Sequence, residues 1–280
     1  MKKLILLLIS TLTIISCSET IEAERIPWTS TSEEAKALFE EFLTNIERRQ
    51  WDPEIQEALF DSIAKLDPNF FVPKLFNNFK DADERRVLVR LAYENKDKVS
   101  DLESRFIESN FERRINGSIV KQDQIMDAII ADYPQYYQLR IWSGDIKNGL
   151  DIKACEKRWE EALEINPNSF EAHVNLAFLH FPTGNNFYML ASDERDLTKA
   201  GMLLNKAKKI LPESSRPSRF LGNVYRAQSE FEKALASYKE SLEIIKEYET
   251  GDQSDPYANS LLMVGHVYTF QGEYDKARNF

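Results

Sequence analysis

The chain has 280 residues, of which 42% are hydrophobic and 29% charged, so it can bury a core and is not an intrinsically disordered chain. Only nine glycines and ten prolines interrupt it, which favours helix over strand. Its formal net charge of -10 argues against nucleic-acid binding and against a basic membrane-binding surface, because phosphate groups repel an acidic chain.

The N-terminus has the pattern of an export signal. The basic pair Lys2-Lys3 is followed by an apolar run over residues 4–15, which is too short for a comfortable membrane span. The run ends in the sequence IISC, whose last residue is Cys17. This ending resembles the lipobox of bacterial lipoproteins, and the resemblance implies cleavage before Cys17 and a diacylglyceryl group on its sulfur. The alternative is an ordinary signal peptide with an incidental cysteine.

The same resemblance implies a location. Residue 18 is Ser and not the Asp that retains many enterobacterial lipoproteins in the inner membrane, which favours the outer membrane. The acidic residues after Cys17 are similar to surface-export signals of Bacteroidetes lipoproteins. We therefore expect residues 1–16 to be a lipoprotein signal peptide and residues 17–32 to be the lipidated cysteine with a polar tether. Trp28 is expected to pack back on the folded body, and the alternative is a place at the membrane interface.

Residues 33–132 show helical spacing with weak repeat character. Ser32 suits a helix N-cap, and Asp52-Pro53 suits the start of a second helix. A dense aromatic patch over residues 70–79 is expected to be core. Four prolines that each follow an apolar helical segment are separated by 66, 33 and 45 residues, which favours degenerate repeats of about 33 residues. These are Pro68, Pro134, Pro167 and Pro212.

Residues 133–280 carry the clearest repeat signal. Within residues 217–244, a Leu-Gly-x2-Tyr sequence is followed at fixed offsets by Phe, Ala and Tyr, and a second copy begins 43 residues later. This spacing resembles the tetratricopeptide repeat (TPR), with two good and two partial units and an insertion within 181–196. The helix around Tyr136–Trp142 matches the pattern poorly. The residues expected to form the repeat core are Leu221, Gly222, Tyr225, Ala234, Tyr238, Gly265, Tyr268 and Ala277.

The TPR resemblance implies an all-α solenoid of helical hairpins wound into a right-handed superhelix. The sequence stops inside the second helix of the fourth repeat, so we expect Val264, Tyr268 and Phe270 to lack their cover. One interpretation is a truncated reading frame, and the alternative is that a partner or a second copy covers this end.

No catalytic motif is found in the sequence, and no cofactor, metal or enzymatic activity is expected. His173 and His180 would lie about 10 Å apart along one helix, too far for one metal ion. If Cys17 is lipidated, Cys155 is a lone thiol, and we expect it to be a buried packing residue and not a nucleophile.

The groove formed by the first helix of each repeat is the predicted binding surface. On the third repeat it is lined by basic and polar residues, and on the fourth it includes His266. Arg219 and Asn223 resemble the basic residue and the asparagine of carboxylate-clamp TPRs. Phe178 and Leu262, however, are apolar where a clamp needs polar groups. The alternative is that the arginines pair with neighbouring glutamates. The residues of the third repeat are Arg216, Arg219, Asn223 and Arg226.

These observations together predict a lipid-anchored TPR scaffold that mediates protein–protein interactions at the bacterial cell envelope. The expected partners are a protein or peptide of unknown identity and the membrane, reached through the lipid. An outer-membrane assembly component or a glycan- or ligand-capture lipoprotein is the alternative, since such proteins share both the anchor and the repeat.

Overall fold

The computed structural model describes residues 23–48, 52–78, 80–182, 189–249 and 255–280. Cys17 and the predicted signal peptide lie outside these ranges, as do Phe79 and the middle of the insertion. The described residues form thirteen α-helices and no β-strand, which confirms the all-α prediction. The helices are α1 Glu33–Glu47, α2 Pro53–Leu66, α3 Ala82–Glu94, α4 Asp101–Arg114, α5 Ile119–Asp132, α6 Tyr137–Asn148, α7 Ile152–Ile165, α8 Phe170–Phe178, α9 Leu197–Ile210, α10 Ser215–Ala227, α11 Phe231–Tyr248, α12 Asp255–Phe270 and α13 Tyr274–Ala277.

Local sequence explains where the first helices begin. The Ser32 hydroxyl accepts a hydrogen bond from the Ala35 N–H at 3.1 Å, and the Asp52 carboxylate caps α2, whose first residue is Pro53. Each side chain takes up an N–H group that the first helical turn leaves without a partner. Both starts were predicted from the sequence and are confirmed.

Neighbouring helices pack in a regular order along the chain. The pairs α4/α5, α6/α7, α8/α9 and α10/α11 form hairpins, and the second helix of each hairpin also contacts the first helix of the next. A single hairpin cannot bury its apolar face alone, so stacking supplies the continuous core. This order is that of a helical-hairpin solenoid.

Two glycines set the closest helix contacts. A Cβ atom on Gly222 of α10 would lie 2.4 Å from Cε1 of Tyr238, and one on Gly144 of α6 would lie 2.2 Å from Nε1 of Trp159. Neither approach leaves room for a methyl group. Gly144 lies 33 residues before Ala177 of α8 and faces a large ring as Gly222 does, so α6 carries one repeat-like contact just beyond the poorly matched stretch Tyr136–Trp142.

The N-terminal half packs around aromatic rings. The buried Phe39 ring lies with its centroid 5.3 Å from Trp28, 6.0 Å from Phe42, 5.4 Å from Phe70 and 5.6 Å from Phe76. Such clusters bury large apolar areas in edge-to-face and offset geometries. The prediction that the aromatic patch is core is confirmed for its described residues, and so is the prediction that Trp28 packs on the body.

Residues 23–32 have no regular secondary structure and pack over these helices. Trp28 Nε1 donates a hydrogen bond to Glu40 at 2.6 Å, and Ser30 Oγ donates to Asp67 at 2.6 Å. The described residues from 23 onwards are therefore packed on the body, although they lie inside the segment expected to be a tether.

At the C-terminal end, α12 packs on α11. Val264 is fully buried in this contact, so the expectation that it lacks cover is wrong. Phe270 is 65% exposed, and the rings of Tyr268 and Phe280 stack with centroids 5.7 Å apart. Across the described ranges, no helix has the combination of length and apolar character needed to traverse a bilayer.

Candidate functional site

The start of α10 is anchored by the carboxylate of the residue that follows the next helix. Glu249 follows α11 and accepts hydrogen bonds from the Ser215 N–H at 2.9 Å and from the Ser215 hydroxyl at 3.0 Å. A negative charge at a helix N-terminus complements the helix dipole. Pro217 lies in the first turn, where its missing N–H costs no helical hydrogen bond.

One face of α10 carries three of the predicted binding residues. Arg219, Asn223 and Arg226 recur at spacings of four and three residues, which places them on one side of the helix. Below them lies the fully buried Tyr238 of α11, whose hydroxyl donates to Asn223 Oδ1 at 2.7 Å. Burial raises the pKa of Tyr238 to about 12, against the opposing effect of the positive charges of Arg226 and Arg219. We name Arg219, Asn223 and Arg226 the α10 surface.

Arg219 holds a partly desolvated charge. Its Nε is buried without a hydrogen-bond partner, and its guanidinium carbon lies 5.2 Å from the centroid of the Phe220 ring. Burial lowers the pKa of Arg219, while attraction by Glu249 opposes that effect. In the described part of the chain, Arg219 forms no ion pair with a carboxylate, so its pairing with a neighbouring glutamate is not seen.

The other basic residues of α10 differ in their surroundings. Arg226 is half-exposed and directs Nη1 towards the sulfur of Met263 in α12, at 3.6 Å. Arg216 lies near the same Phe220 ring as Arg219, with its guanidinium carbon 5.9 Å from the ring centroid. The described carboxylates form no ion pair with Arg226. The arginines of α10 therefore make aromatic and sulfur contacts.

His266 occupies a separate place. It lies on α12, in the repeat position that Asn223 occupies on α10, and its side chain is exposed. The structure thus brings three predicted binding residues together around Tyr238 and places His266 on the next hairpin.

The surface beside α10 towards α8 is apolar. Val174 is buried, and the rings of Phe178, Phe181 and Phe220 form a cluster with centroids 5.3 to 5.8 Å apart. This cluster fills the space where a carboxylate clamp would continue with polar groups. The α10 surface is therefore a short polar site with an aromatic border.

The predicted core residues divide by repeat. In the third repeat, Leu221, Gly222, Ala234 and Tyr238 are buried, while Tyr225 is half-buried between α10 and α11. In the fourth repeat the corresponding residues are all half-buried. These are Gly265, Tyr268 and Ala277.

The remaining histidines and the cysteine are packing residues. His173 Nε2 lies 3.0 Å from the Pro167 carbonyl oxygen, and His180 is buried with Nε2 3.2 Å from Glu156. Burial raises the pKa of the Cys155 thiol to about 12, which leaves it un-ionised and unreactive at neutral pH. Among the residues with described positions, no group of three or more His, Cys, Asp or Glu side chains could hold a metal ion.

Two features of this site were not identified from the sequence. The repeat pattern assigns Tyr238 only to the core and does not indicate that its hydroxyl bonds Asn223. The sequence carries no signal for Glu249, because its contact with Ser215 crosses 34 residues and depends on how α11 returns alongside α10.

Comparisons with known proteins agree with this architecture. Residues 213–280 match the tetratricopeptide repeat family. The crystal structure of the APC/C hetero-tetramer Cut9-Hcn1 is similar with a TM-score of 0.61 and 14% identity, over 89% of this chain and 46% of that chain. MamA 41-end from Desulfovibrio magneticus RS-1 is similar with a TM-score of 0.52 and 14% identity, over 64% of this chain and 91% of that chain. Comparison with curated proteins gave no match. The fold is thus an all-α solenoid of the TPR type.

Proposed function

We propose that this TPR-type solenoid is a non-catalytic scaffold that binds an acidic segment of a partner protein on the α10 surface. The observation that carries the proposal is the pair Arg219 and Arg226, which flank Asn223 and form no ion pair with a described carboxylate. Guanidinium groups bind carboxylates through two parallel hydrogen bonds, and they do so most strongly where water is excluded.

Each residue has a distinct role in this proposal. Arg219, with a buried Nε and an aromatic neighbour, supplies the more strongly interacting charge. Asn223 accepts from Tyr238 through Oδ1, so its amide N–H groups are directed to a ligand. Arg226 supplies a second charge about two turns from the first. The ring of Phe178 offers an apolar contact for a side chain next to the acidic residues.

The proposal is tested with a fluorescein-labelled peptide rich in Glu and Asp, by fluorescence anisotropy. Arg219→Gln and Arg226→Gln should each weaken binding about 10- to 100-fold, because each removes charge-assisted hydrogen bonds. Lys239→Gln is the matched control, since Lys239 is exposed on α11 and the change in charge is the same. Equal binding by the wild type and by the double arginine variant would contradict the proposal.

A second form of the peptide separates two modes of recognition. Amidation of the peptide C-terminus removes the terminal carboxylate while leaving the acidic side chains. If the α10 surface binds an internal acidic segment, amidation should change the affinity by less than about threefold. If it binds the terminal carboxylate as a clamp does, amidation should abolish nearly all binding.

We further propose that the scaffold is anchored by lipid at Cys17 to the bacterial outer membrane. The support is the basic pair Lys2-Lys3, the apolar run 4–15 and the sequence IISC. Five residues lie between Cys17 and Ala23, the first described residue, and a chain of that length spans at most about 20 Å, so Ala23 would lie within about 20 Å of the lipid.

Metabolic labelling tests the anchor. Expression in a bacterial host with labelled palmitate should label the wild-type protein and not the Cys17→Ser variant, and the label should fractionate with the outer membrane. An unlabelled wild-type protein, or equal labelling of the variant, would refute the anchor without affecting the peptide-binding proposal.

A further inference from the structure

A cleft in the N-terminal half collects positive charge in this acidic protein. Helices α3 to α6 and Asn78 border an open cleft of about 610 Å³. Neutral polar side chains, including Asn110 and Gln122, line it together with the carboxylate of Asp145. Four arginines also line it, and we name them the arginine cleft: Arg85, Arg86, Arg113 and Arg114.

The charges of the arginine cleft are only partly compensated by the protein. Burial lowers the pKa of Arg114, and the nearby positive charges of Arg85 and Arg113 lower it further. Arg86 forms an exposed ion pair with Asp83 at 3.1 Å. Within the ranges that the structure describes, Arg85 and Arg113 form no ion pair with a carboxylate. At least three guanidinium groups therefore lie close enough to repel one another.

A helix N-terminus adds to this positive potential. Ile119, the first residue of α5, lines the cleft. The helix is capped by the neutral hydroxyl of Ser118, which accepts from the Lys121 N–H at 3.2 Å. Because a hydroxyl carries no charge, the positive end of the α5 dipole is not neutralised by its cap.

We propose that the arginine cleft binds a compact small molecule that carries at least two phosphate or carboxylate groups. A guanidinium group can donate two parallel hydrogen bonds to the oxygens of a phosphate or of a carboxylate. The volume lies in the range of small-molecule sites. Two or more anionic groups are needed because one monovalent group would leave most of the positive charge without a partner. The site is formed by α3 to α6 and is independent of the α10 surface.

Calorimetric titration of the purified chain with pyrophosphate and with citrate tests the proposal. At least one of the two should bind, and the tighter one identifies the group that the site prefers. Arg114→Gln should weaken that binding about 10- to 100-fold. Arg113→Gln should also weaken that binding. Because Arg113 is exposed, this variant replaces Arg114→Gln as the test if Arg114→Gln does not fold.

Arg90→Gln is the matched control, because Arg90 is exposed on α3 and is not among the residues that line the cleft. It should change the affinity by less than about twofold. Absence of binding by both anions, equal weakening by Arg90→Gln, or orthophosphate binding as tightly as pyrophosphate would overturn the proposal.

Discussion

At the scale of single residues, the distance between paired helices is set by glycines that face large rings. Gly222 faces the Tyr238 ring and Gly144 faces the Trp159 ring, in hairpins of different repeats. The same tight contact positions the Tyr238 hydroxyl 2.7 Å from Asn223. Packing and the candidate binding site therefore depend on the same pair of residues.

Substitution of Gly222 tests this dependence. Gly222→Ala should destabilise the protein by about 1–3 kcal/mol, because the new methyl group overlaps the Tyr238 ring and the helices must separate. The measurement is the free energy of unfolding in urea.

Gly201→Ala is the control for Gly222→Ala. Gly201 lies within α9, and a Cβ there would have no heavy atom within 4 Å. Alanine should stabilise the helix by about 0.5–1 kcal/mol, since it loses less backbone freedom on folding. A stabilising Gly222→Ala would contradict the close-contact account.

At the scale of elements, an extended segment holds the N-terminal helices together. Asp67, at the end of α2, accepts hydrogen bonds from the hydroxyls of Ser30 and Thr31, from the Thr31 N–H and from the Asn69 N–H at 2.9 Å. Burial by itself would raise the pKa of Asp67, but the hydrogen bonds from Ser30, Thr31 and Asn69 outweigh it and lower the pKa. The charged carboxylate is therefore part of the folded structure.

Removal of this carboxylate should loosen the segment. We expect Asp67→Ala to cost on the order of 3 kcal/mol, because four hydrogen-bond donors lose a charged acceptor. Asp61→Ala is the control, because Asp61 is an exposed residue of α2, and it should cost less than about 0.5 kcal/mol. Equal effects of the two substitutions on the free energy of unfolding would show that the segment is not held by Asp67.

The same carboxylate predicts an acid dependence. Because folding lowers the pKa of Asp67, its contribution is fully present above the unfolded-state pKa and is lost as the pH falls below about 4 through the folded-state pKa. The difference in stability between the wild type and Asp67→Ala should therefore shrink as the pH is lowered through this range.

Local signals made part of this structure predictable. Ser32 and Asp52-Pro53 mark helix starts, because capping depends on residues within one turn. The repeat spacing around Gly222 indicated the hairpin solenoid for a similar reason, since each unit recurs along the chain. Helix caps and repeat spacing can therefore be predicted without knowing which distant segments of the chain are in contact.

Other features depend on distant segments and were missed. The hydrogen bond from Ser30 to Asp67 crosses 37 residues, and the cluster of Arg85 with Arg114 exists only because α3 packs on α4. No spacing rule connects such residues. The contact of Gly144 could have been found from its distance to Ala177, but the surrounding helix lacks the other repeat residues.

At the scale of the whole molecule, an acidic chain with a formal net charge of -10 presents positive charge on the α10 surface and in the arginine cleft. A negative background opposes nonspecific binding of acidic ligands, so local arginine clusters favour selective contacts. The TPR-type fold supplies the rigid helices that hold the α10 side chains in place.

Photo-crosslinking in the native cell tests the α10 surface most directly. A photoreactive amino acid replaces Ala227, which is exposed at the end of α10, and in a parallel experiment replaces Lys239 on α11. The account predicts a discrete crosslinked partner from position 227 only, with the crosslink in an acidic segment and lost in the Arg219→Gln/Arg226→Gln variant. Crosslinks that persist in that variant, or that map to a basic or wholly apolar segment, would contradict it.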